Sequence, residues 1–218
     1  MDIHLRISDD ITSFEQAVEV RQIDEIGTEI NHFHVPLKTI LESLMDAMEV
    51  SSGYSTPILP NNCIKYQEGN HTRKVLIELP KRKWKINNAE DNSLRMVSFP
   101  RLLLQYIIED VKVTEFRMFA IRDKVPLEEN TELYYFPFAN VHHETGTVCM
   151  GLNVFPNIQS LRDLEQYHLL FFAAPFGTDY GIRVAEKVGS QTELFKRLEH
   201  QSFPEDWLLP LDKKLGNI

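Results

Sequence analysis

The segment that decides the fold of this chain is Tyr134-Tyr135-Phe136-Pro137-Phe138-Ala139-Asn140-Val141-His142-His143-Glu144-Thr145-Gly146-Thr147-Val148-Cys149-Met150-Gly151. It places one cysteine, Cys149, directly after a polar turn that contains a glycine, with two histidines and an asparagine upstream. A thiol at such a position is open to reaction, whereas a thiol inside a strand or a core helix behaves as a small apolar group. The role of Cys149 therefore determines most of what this protein does.

Cys149 has the kinds of neighbour that a nucleophilic cysteine needs. Thioester chemistry requires a thiolate that a substrate can reach, a donor for the developing oxyanion and a route for protons. Asn140, nine residues upstream, offers a side-chain amide, and a loop over the turn at Thr145-Gly146 can bring that amide back towards the sulfur. His142 and His143 are of the type that tunes a thiol or moves protons. Residue types alone leave a purely structural thiol as the more frequent interpretation.

Short alternating runs predict a body rich in β-structure. Two alternating stretches within the first 23 residues, 3–7 and 14–20, predict an N-terminal hairpin. A loop rich in Ser, Gly and Pro follows at 51–60. Beyond it, five runs bounded by turn residues predict a meander of antiparallel strands, namely 63–66, 74–79, 94–99, 102–108 and 116–121. The run 102–108 is also compatible with a helical turn.

Three helices are predicted from apolar spacing and capping residues. Pro36 suits a first turn, and apolar residues recur at helical spacing from Leu37 onwards. Ser160 can cap a second helix, whose apolar face includes His168 and which stops before the Ala-Pro at 174–175. The third helix begins with a capping box that starts at Ser190.

The order of these elements predicts an α+β fold. A hairpin and a helix come first, then strands, the cysteine segment and two further helices. No internal repeat and no Pro- or Gly-rich linker divides the chain. We therefore expect one domain at 51–218, with the hairpin and amphipathic helix of 1–50 as an extension of the same domain.

The composition argues against nucleic acid and membranes as partners. The 218 residues carry a formal charge of −9, and the 23 Lys and Arg are spread along the chain. The one dense basic run, 81–85, is too short for a nucleic-acid groove. The two cysteines, the polar N-terminus and the lack of an 18-residue apolar run predict a soluble, cytoplasmic protein.

Several of these residues resemble a known family. Asn140-Val141, followed by Gly146-Thr147-Val148-Cys149, is similar to the active-site segment of ubiquitin-conjugating enzymes. In those enzymes a His-Pro-Asn triplet precedes a turn, a glycine, an aliphatic residue and the thioester-forming cysteine. Here Phe138-Ala139 stands in place of His-Pro, and the spacing from asparagine to cysteine is one residue longer.

The closer resemblance is to the bacterial branch known as PRTRC system protein B, or prokaryotic ubiquitin-conjugating-enzyme-like family D. It covers roughly residues 55 to 218. Besides the cysteine segment it rests on Pro137, on Phe171-Phe172 and on Phe203-Pro204-Glu205-Asp206-Trp207-Leu208-Leu209-Pro210.

The resemblance implies a fold, an activity and partners. The fold is that of ubiquitin-conjugating enzymes, an antiparallel meander followed by the cysteine in an extended segment, with helices behind. Cys149 would accept a ubiquitin-like protein as a thioester from a ThiF-like adenylating enzyme, for transfer to an amine, and Asn140 would stabilise the oxyanion formed by the amine. His142 and His143 are the further candidate catalytic residues. A JAB-type peptidase of the same system is a third implied partner, and no cofactor or metal ion is expected.

Other interpretations of the cysteine segment stay open. A zinc site would use His142, His143 and Cys149 with Asp163 or Glu165, but adjacent histidines rarely converge on one ion and no metal-binding spacing is present. A Cys–His hydrolase lacks a local signature. A non-catalytic member of the same fold, which binds a ubiquitin-like protein or the adenylating enzyme as an adaptor, is the main alternative.

Overall fold

The chain divides into two structural units, residues 1–56 and 57–218. The computed structural model describes residues 2–49, 56–69 and 71–218. Half of the loop predicted at 51–60, residues 51–55, therefore lies outside the described residues. Within the described ranges, none of the helices has both the length and the apolar character needed to cross a membrane.

The N-terminal unit is a three-stranded antiparallel sheet followed by a helix. The strands, in the order β1-β2-β3, are β1 (Asp2–Arg6), β2 (Ala17–Ile23) and β3 (Glu29–Pro36), and α1 spans Leu37–Glu49. The predicted hairpin is confirmed, although β2 begins three residues later than expected. The sequence did not predict β3, because its two histidines and an asparagine hide the alternation. Pro36 ends this strand and does not lie in the first turn of α1, so its predicted placement was wrong.

Residues 57–218 contain two sheets. The larger has six antiparallel strands in the order β12-β10-β9-β8-β5-β4, and the smaller has the order β11-β6-β7, in which only the β11–β6 pair is parallel. The strands are β4 (Cys63–Glu68), β5 (Thr72–Leu79), β6 (Arg82–Asn88), β7 (Ser93–Phe99), β8 (Arg101–Glu109), β9 (Lys112–Ile121), β10 (Glu132–Tyr134), β11 (Pro175–Phe176) and β12 (Pro210–Lys214).

The five predicted runs are confirmed as strands, but they do not form one meander. The run 94–99 is β7, which pairs with β6 in the smaller sheet, so that the larger sheet passes directly from β5 to β8. The sequence missed β6 because the dense basic run obscures it. Trp84 and Ile86 are buried in alternation with Lys83 and Lys85, which point to solvent.

The helix starts predicted from capping residues are confirmed. The hydroxyl of Ser160 accepts a hydrogen bond from the main chain at Arg162, and this cap opens a short 3-10 turn, Leu161–Asp163, that leads into α2 (Leu164–Ala173). Ser190 caps α3 (Gln191–His200) by accepting a hydrogen bond from the Glu193 N–H at 3.1 Å.

The main core lies between the larger sheet and a layer formed by the smaller sheet with α2 and α3. α2 packs on β6 and α3 packs on β7. Trp84 anchors this layer, because its ring is buried and stacks on Phe172 with ring centroids 4.1 Å apart. The opposite face of the larger sheet has its own small apolar cluster, which includes Leu103 and Phe119. The core thus supports the segment between β10 and α2, which contains Cys149.

Candidate functional site

The segment 140–149 folds into a short hairpin that brings Asn140 and Cys149 opposite each other. The Cys149 N–H donates a hydrogen bond to the Asn140 carbonyl at 2.7 Å, and Val141 pairs with Val148 in the next position. Asn140 has a φ of +74°, so it ends the paired segment instead of continuing it. The hairpin absorbs the longer spacing between asparagine and cysteine, and both residues line the same cavity.

The hairpin is fixed to strand β9. The Val148 N–H donates to the Phe116 carbonyl at 2.8 Å, and the Met118 N–H donates to the Gly146 carbonyl at 2.8 Å. Gly146 has a φ of +75°, and a Cβ atom there would lie 2.5 Å from the Phe119 ring. Only glycine fits both this backbone conformation and the space beside the Phe119 ring. Gly146 therefore determines the path of the second arm of the hairpin, which contains Cys149.

Cys149 is half-buried and opens onto a cavity of about 370 Å³. Most of the lining is small or apolar, whereas Asn140, Asn153 and Asp179 supply polar groups. The lining residues are Ala89, Asn140, Cys149, Met150, Gly151, Leu152, Asn153, Ala174, Pro175, Gly177 and Asp179. One wall is the hairpin with the turn after it, and the opposite wall is the segment that follows α2.

The Asn140 side chain holds the opposite wall of the cavity. It is 6% exposed, and its Nδ2 donates to the Pro175 carbonyl at 3.0 Å while its Oδ1 accepts from the Gly177 N–H at 2.9 Å. For the second hydrogen on Nδ2, no acceptor is found in the part of the chain that the structure describes. Asn140 therefore has a positioning role and one N–H left for another partner.

The two histidines of the turn lie beside the cavity rather than in it. The Nε2 of His143 contacts the Tyr180 carbonyl, and the His142 ring meets the Tyr180 ring edge-on with centroids 5.3 Å apart. Burial and the nearby positive charge of Arg183 lower the pKa of His143. Neither histidine is among the described residues that line the cavity. The pair supports the neighbouring turn of the chain at 178–181.

Asp179 belongs to that turn and is a site residue that the sequence did not predict. It is exposed, it lines the cavity, and its carboxylate lies next to Gly177. An isolated aspartate in a loop has no local pattern that singles it out, so no sequence signal pointed to it.

The two carboxylates considered as zinc ligands, Asp163 and Glu165, are bonded elsewhere. The Asp163 carboxylate accepts hydrogen bonds from the main chain at Gln159 and Ser160, and the Glu165 carboxylate accepts one from Asn61. Across residues 2–49, 56–69 and 71–218, no group of three or more His, Cys, Asp or Glu side chains is arranged to hold a metal ion.

The family model described as prokaryotic E2 family D matches residues 40–211. This range includes the cysteine hairpin, both walls of the cavity and the helices α2 and α3, and leaves β1, β2 and β3 outside. No curated protein and no solved structure matches the chain significantly.

Proposed function

This chain belongs to prokaryotic E2 family D, and from that premise we propose that it carries a ubiquitin-like protein as a thioester on Cys149. It would receive this protein from a ThiF-like adenylating enzyme and pass it to an amine. The observation that carries the proposal is the placement of Cys149 at a cavity, directly opposite Asn140 in the hairpin.

The same proposal includes the fold of ubiquitin-conjugating enzymes for residues 57–218. It is supported by the antiparallel neighbours β4, β5, β8 and β9, by the position of the cysteine segment after them, and by the two helices that follow. PRTRC system protein B is the branch whose sequence features the chain resembles, and a JAB-type peptidase belongs to the proposed set of partners.

Charging is a thioester exchange at Cys149. Its thiolate attacks the carbonyl carbon of the C-terminal glycine held as a thioester on the adenylating enzyme. The thiolate of that enzyme leaves, and the new thioester forms on Cys149. The small and apolar lining, with Ala89, Ala174 and Pro175 among its residues, suits an extended chain end that carries few side-chain atoms.

Transfer replaces the sulfur by nitrogen. The amine attacks the thioester carbonyl, an oxyanion forms, and it collapses with release of the Cys149 thiolate, while the proton lost by the attacking nitrogen passes to that thiolate or to water. The remaining N–H of Asn140 is a donor for that oxyanion. Asp179, at the edge of the cavity, attracts a protonated amine, whose proton passes to the carboxylate or to water before attack.

The test of the proposal is formation of a thioester. The protein is incubated with the cognate adenylating enzyme, the ubiquitin-like protein and ATP, and gels are run with and without thiol reductant. We expect an adduct that reductant removes, that Cys149→Ala abolishes and that Cys63→Ala retains. The absence of this adduct, or its survival in Cys149→Ala, would end the catalytic proposal.

A non-catalytic adaptor is the second candidate function. It is favoured by one observation, that neither His142 nor His143 faces the cavity that contains Cys149. Binding of the ubiquitin-like protein or the adenylating enzyme, measured by calorimetry and unaffected by Cys149→Ala, would support this candidate if no adduct forms.

Asn140 is expected to act in transfer more than in charging. In Asn140→Ala, we expect discharge to free lysine to fall by about a hundredfold, the usual effect of losing an oxyanion donor. Charging should change by less than threefold. The control is Asn140→Asp, which keeps an acceptor for the Gly177 N–H but has no amide donor. Discharge at the wild-type rate in both variants would show that Asn140 has no part in transfer.

A further inference from the structure

Gln191, the first residue of α3, makes three side-chain hydrogen bonds to main-chain groups outside its own helix. Its side chain is 3% exposed, and a buried amide must have partners for its polar atoms. Its Oε1 accepts from the Ala139 N–H at 3.0 Å. Its Nε2 donates to the Phe176 carbonyl at 3.2 Å and to the Gly177 carbonyl at 2.7 Å. All three partners are main-chain groups.

These partners belong to the two opposite walls of the cysteine cavity. Ala139 directly precedes Asn140, which begins the cysteine hairpin. Phe176 and Gly177 follow Pro175 in the opposite wall. A single buried side chain therefore bonds both walls at once, from the side that faces the core.

The wall after α2 has little other support from regular structure. Strand β11 is only two residues long, and it pairs with β6 at Pro175 and Phe176 alone. One further main-chain bond, from the Ala89 N–H to the Phe176 carbonyl at 3.0 Å, joins it to the end of β6. In the described part of the chain, the remaining hydrogen bonds of this wall come from the side-chain amides of Asn140 and Gln191. The Phe176 ring also anchors the wall, because it is fully buried and packs against Phe171 and Phe195. The two amides therefore fix the main chain on either side of this ring.

We propose that Gln191 is a positioning residue for the Cys149 site. Its side chain holds the 175–177 wall at a fixed spacing from the cysteine hairpin. This inference rests on the proposed function in one respect, that the cavity at Cys149 is where the ubiquitin-like protein is transferred. Loss of the Gln191 amide opens the wall and leaves the larger sheet intact.

Amide hydrogen exchange, followed by NMR, tests the wall directly. The reporters are the N–H groups of Gly177 and Ala89, because both bond within the wall and neither bonds to Gln191. In Gln191→Leu, we expect both to exchange at least tenfold faster, while the amides of β8 change by less than twofold. Equal acceleration in β8 would mean a general loss of stability, and unchanged reporters would mean that the wall does not need Gln191. Either result overturns the proposal.

A second variant separates hydrogen bonding from packing. Gln191→Glu keeps an oxygen for the Ala139 N–H but directs another oxygen at the Phe176 and Gly177 carbonyls. Protonation of this carboxyl restores a donor. We therefore expect the exchange of Gly177, relative to β8 amides, to be fast at pH 7 and to return towards the wild-type ratio at pH 5. A ratio that does not depend on pH contradicts the role in hydrogen bonding. The exposed Gln166 of α2 supplies the control Gln166→Leu, which should match wild type.

Alkylation reports on the cysteine itself and needs no protein partner. With Cys63→Ser as background, Cys149 is the only thiol. Gln191→Leu should react at least fivefold faster with a bulky maleimide than the background protein does, because an open wall admits the reagent. An unchanged rate overturns the link between Gln191 and the Cys149 site. If the proposed function is wrong, the wild-type protein forms no thioester adduct, but the hydrogen-exchange and alkylation results expected here stay the same.

Discussion

At the scale of single residues, Gly146 determines where Cys149 lies. Replacement of Gly146 tests how strongly this turn stabilises the fold. Gly146→Ala places a methyl group 2.5 Å from the buried Phe119 ring and forces a side chain into positive φ. We expect the free energy of unfolding in urea to fall by about 2–4 kcal/mol.

A matched glycine separates strain from steric clash. Gly151 also has a positive φ, +57°, but nothing lies within 4 Å of a Cβ placed there. Gly151→Ala should therefore lose only the backbone part, about 1 kcal/mol. Equal losses in the two variants would show that the contact with Phe119 has no energetic effect.

His168 is a second residue with a measurable consequence, this time for pH dependence. It is 8% exposed and packs edge-on against Trp84, and burial, with a smaller contribution from Arg82, lowers its pKa to about 4. Its pKa in the unfolded chain is about 6.5, so the unfolded state binds more protons between those values. Stability is therefore complete above pH 6.5 and is lost as the pH falls towards 4.

The expected loss from His168 is about 2 kcal/mol between pH 6.5 and pH 4.5, measured by urea unfolding at each pH. His168→Phe should flatten this part of the profile. The comparison variant is His143→Gln, which should flatten the profile less, because the pKa of His143 is also lowered but its ring is only half-buried at the edge of the site. If the slope is the same in wild type and His168→Phe, then His168 does not cause the pH dependence.

At the scale of elements, the turn after Cys149 exposes an apolar side chain at the cavity. The Asn153 N–H donates to the Met150 carbonyl at 3.0 Å, and Leu152, at the tip of this turn, is fully exposed. Leu152→Ser should change the free energy of unfolding by less than about 0.5 kcal/mol, because it removes no buried contact.

Under the proposed function, the same substitution should slow charging. Leu152 lies at the entrance through which the ubiquitin-like protein must reach Cys149, and we expect the rate to fall by about fivefold, which corresponds to about 1 kcal/mol of lost contact. Ile58→Ser is the control, since Ile58 is also exposed but does not line the cavity. Equal charging by both variants would place Leu152 outside the contact surface.

The elements also explain how much of the fold the sequence could predict. Capped helices follow local rules, and therefore Ser160 correctly marked the 3-10 turn that leads into α2, and Ser190 the start of α3. Strands β5, β8 and β9 have long apolar runs. β3 and β6 were missed because histidines and lysines interrupt the apolar pattern. The division of strands between two sheets depends on pairing partners far apart in sequence, which no local pattern contains.

The same distinction holds for the candidate site. Asn140 and Cys149 could be selected as candidates because the turn at Gly146 can bring them together, and in the structure both line the same cavity. Gln191 and Asp179 could not, since a buried glutamine at a helix start and an aspartate in a loop look ordinary in sequence. Their positions depend on how α3 and the segment after α2 meet the hairpin.

At the scale of the whole molecule, charge and core are distributed differently between the two units. Residues 1–56 contain 11 acidic and 3 basic side chains, a formal charge of −8, which leaves −1 for residues 57–218. Among the described residues, every member of the two apolar core clusters lies within 57–218. Most of the net charge thus lies in one unit and the core clusters in the other.

A fragment of residues 57–218 should therefore fold without the N-terminal unit. Removal of residues 1–56 takes away no described member of either core cluster, and the described residues that line the Cys149 cavity all lie at or after Ala89. We expect a single cooperative urea transition, and a rate of maleimide alkylation at Cys149 within twofold of that in the full chain when both proteins carry Cys63→Ser.

Because the fragment is almost neutral, its solubility near pH 7 should be lower than that of the full chain, and the comparison is best made well above the isoelectric point of the fragment. A fragment that unfolds without a cooperative transition, or a Cys149 that reacts many times faster, would mean that residues 1–56 stabilise the fold around the site.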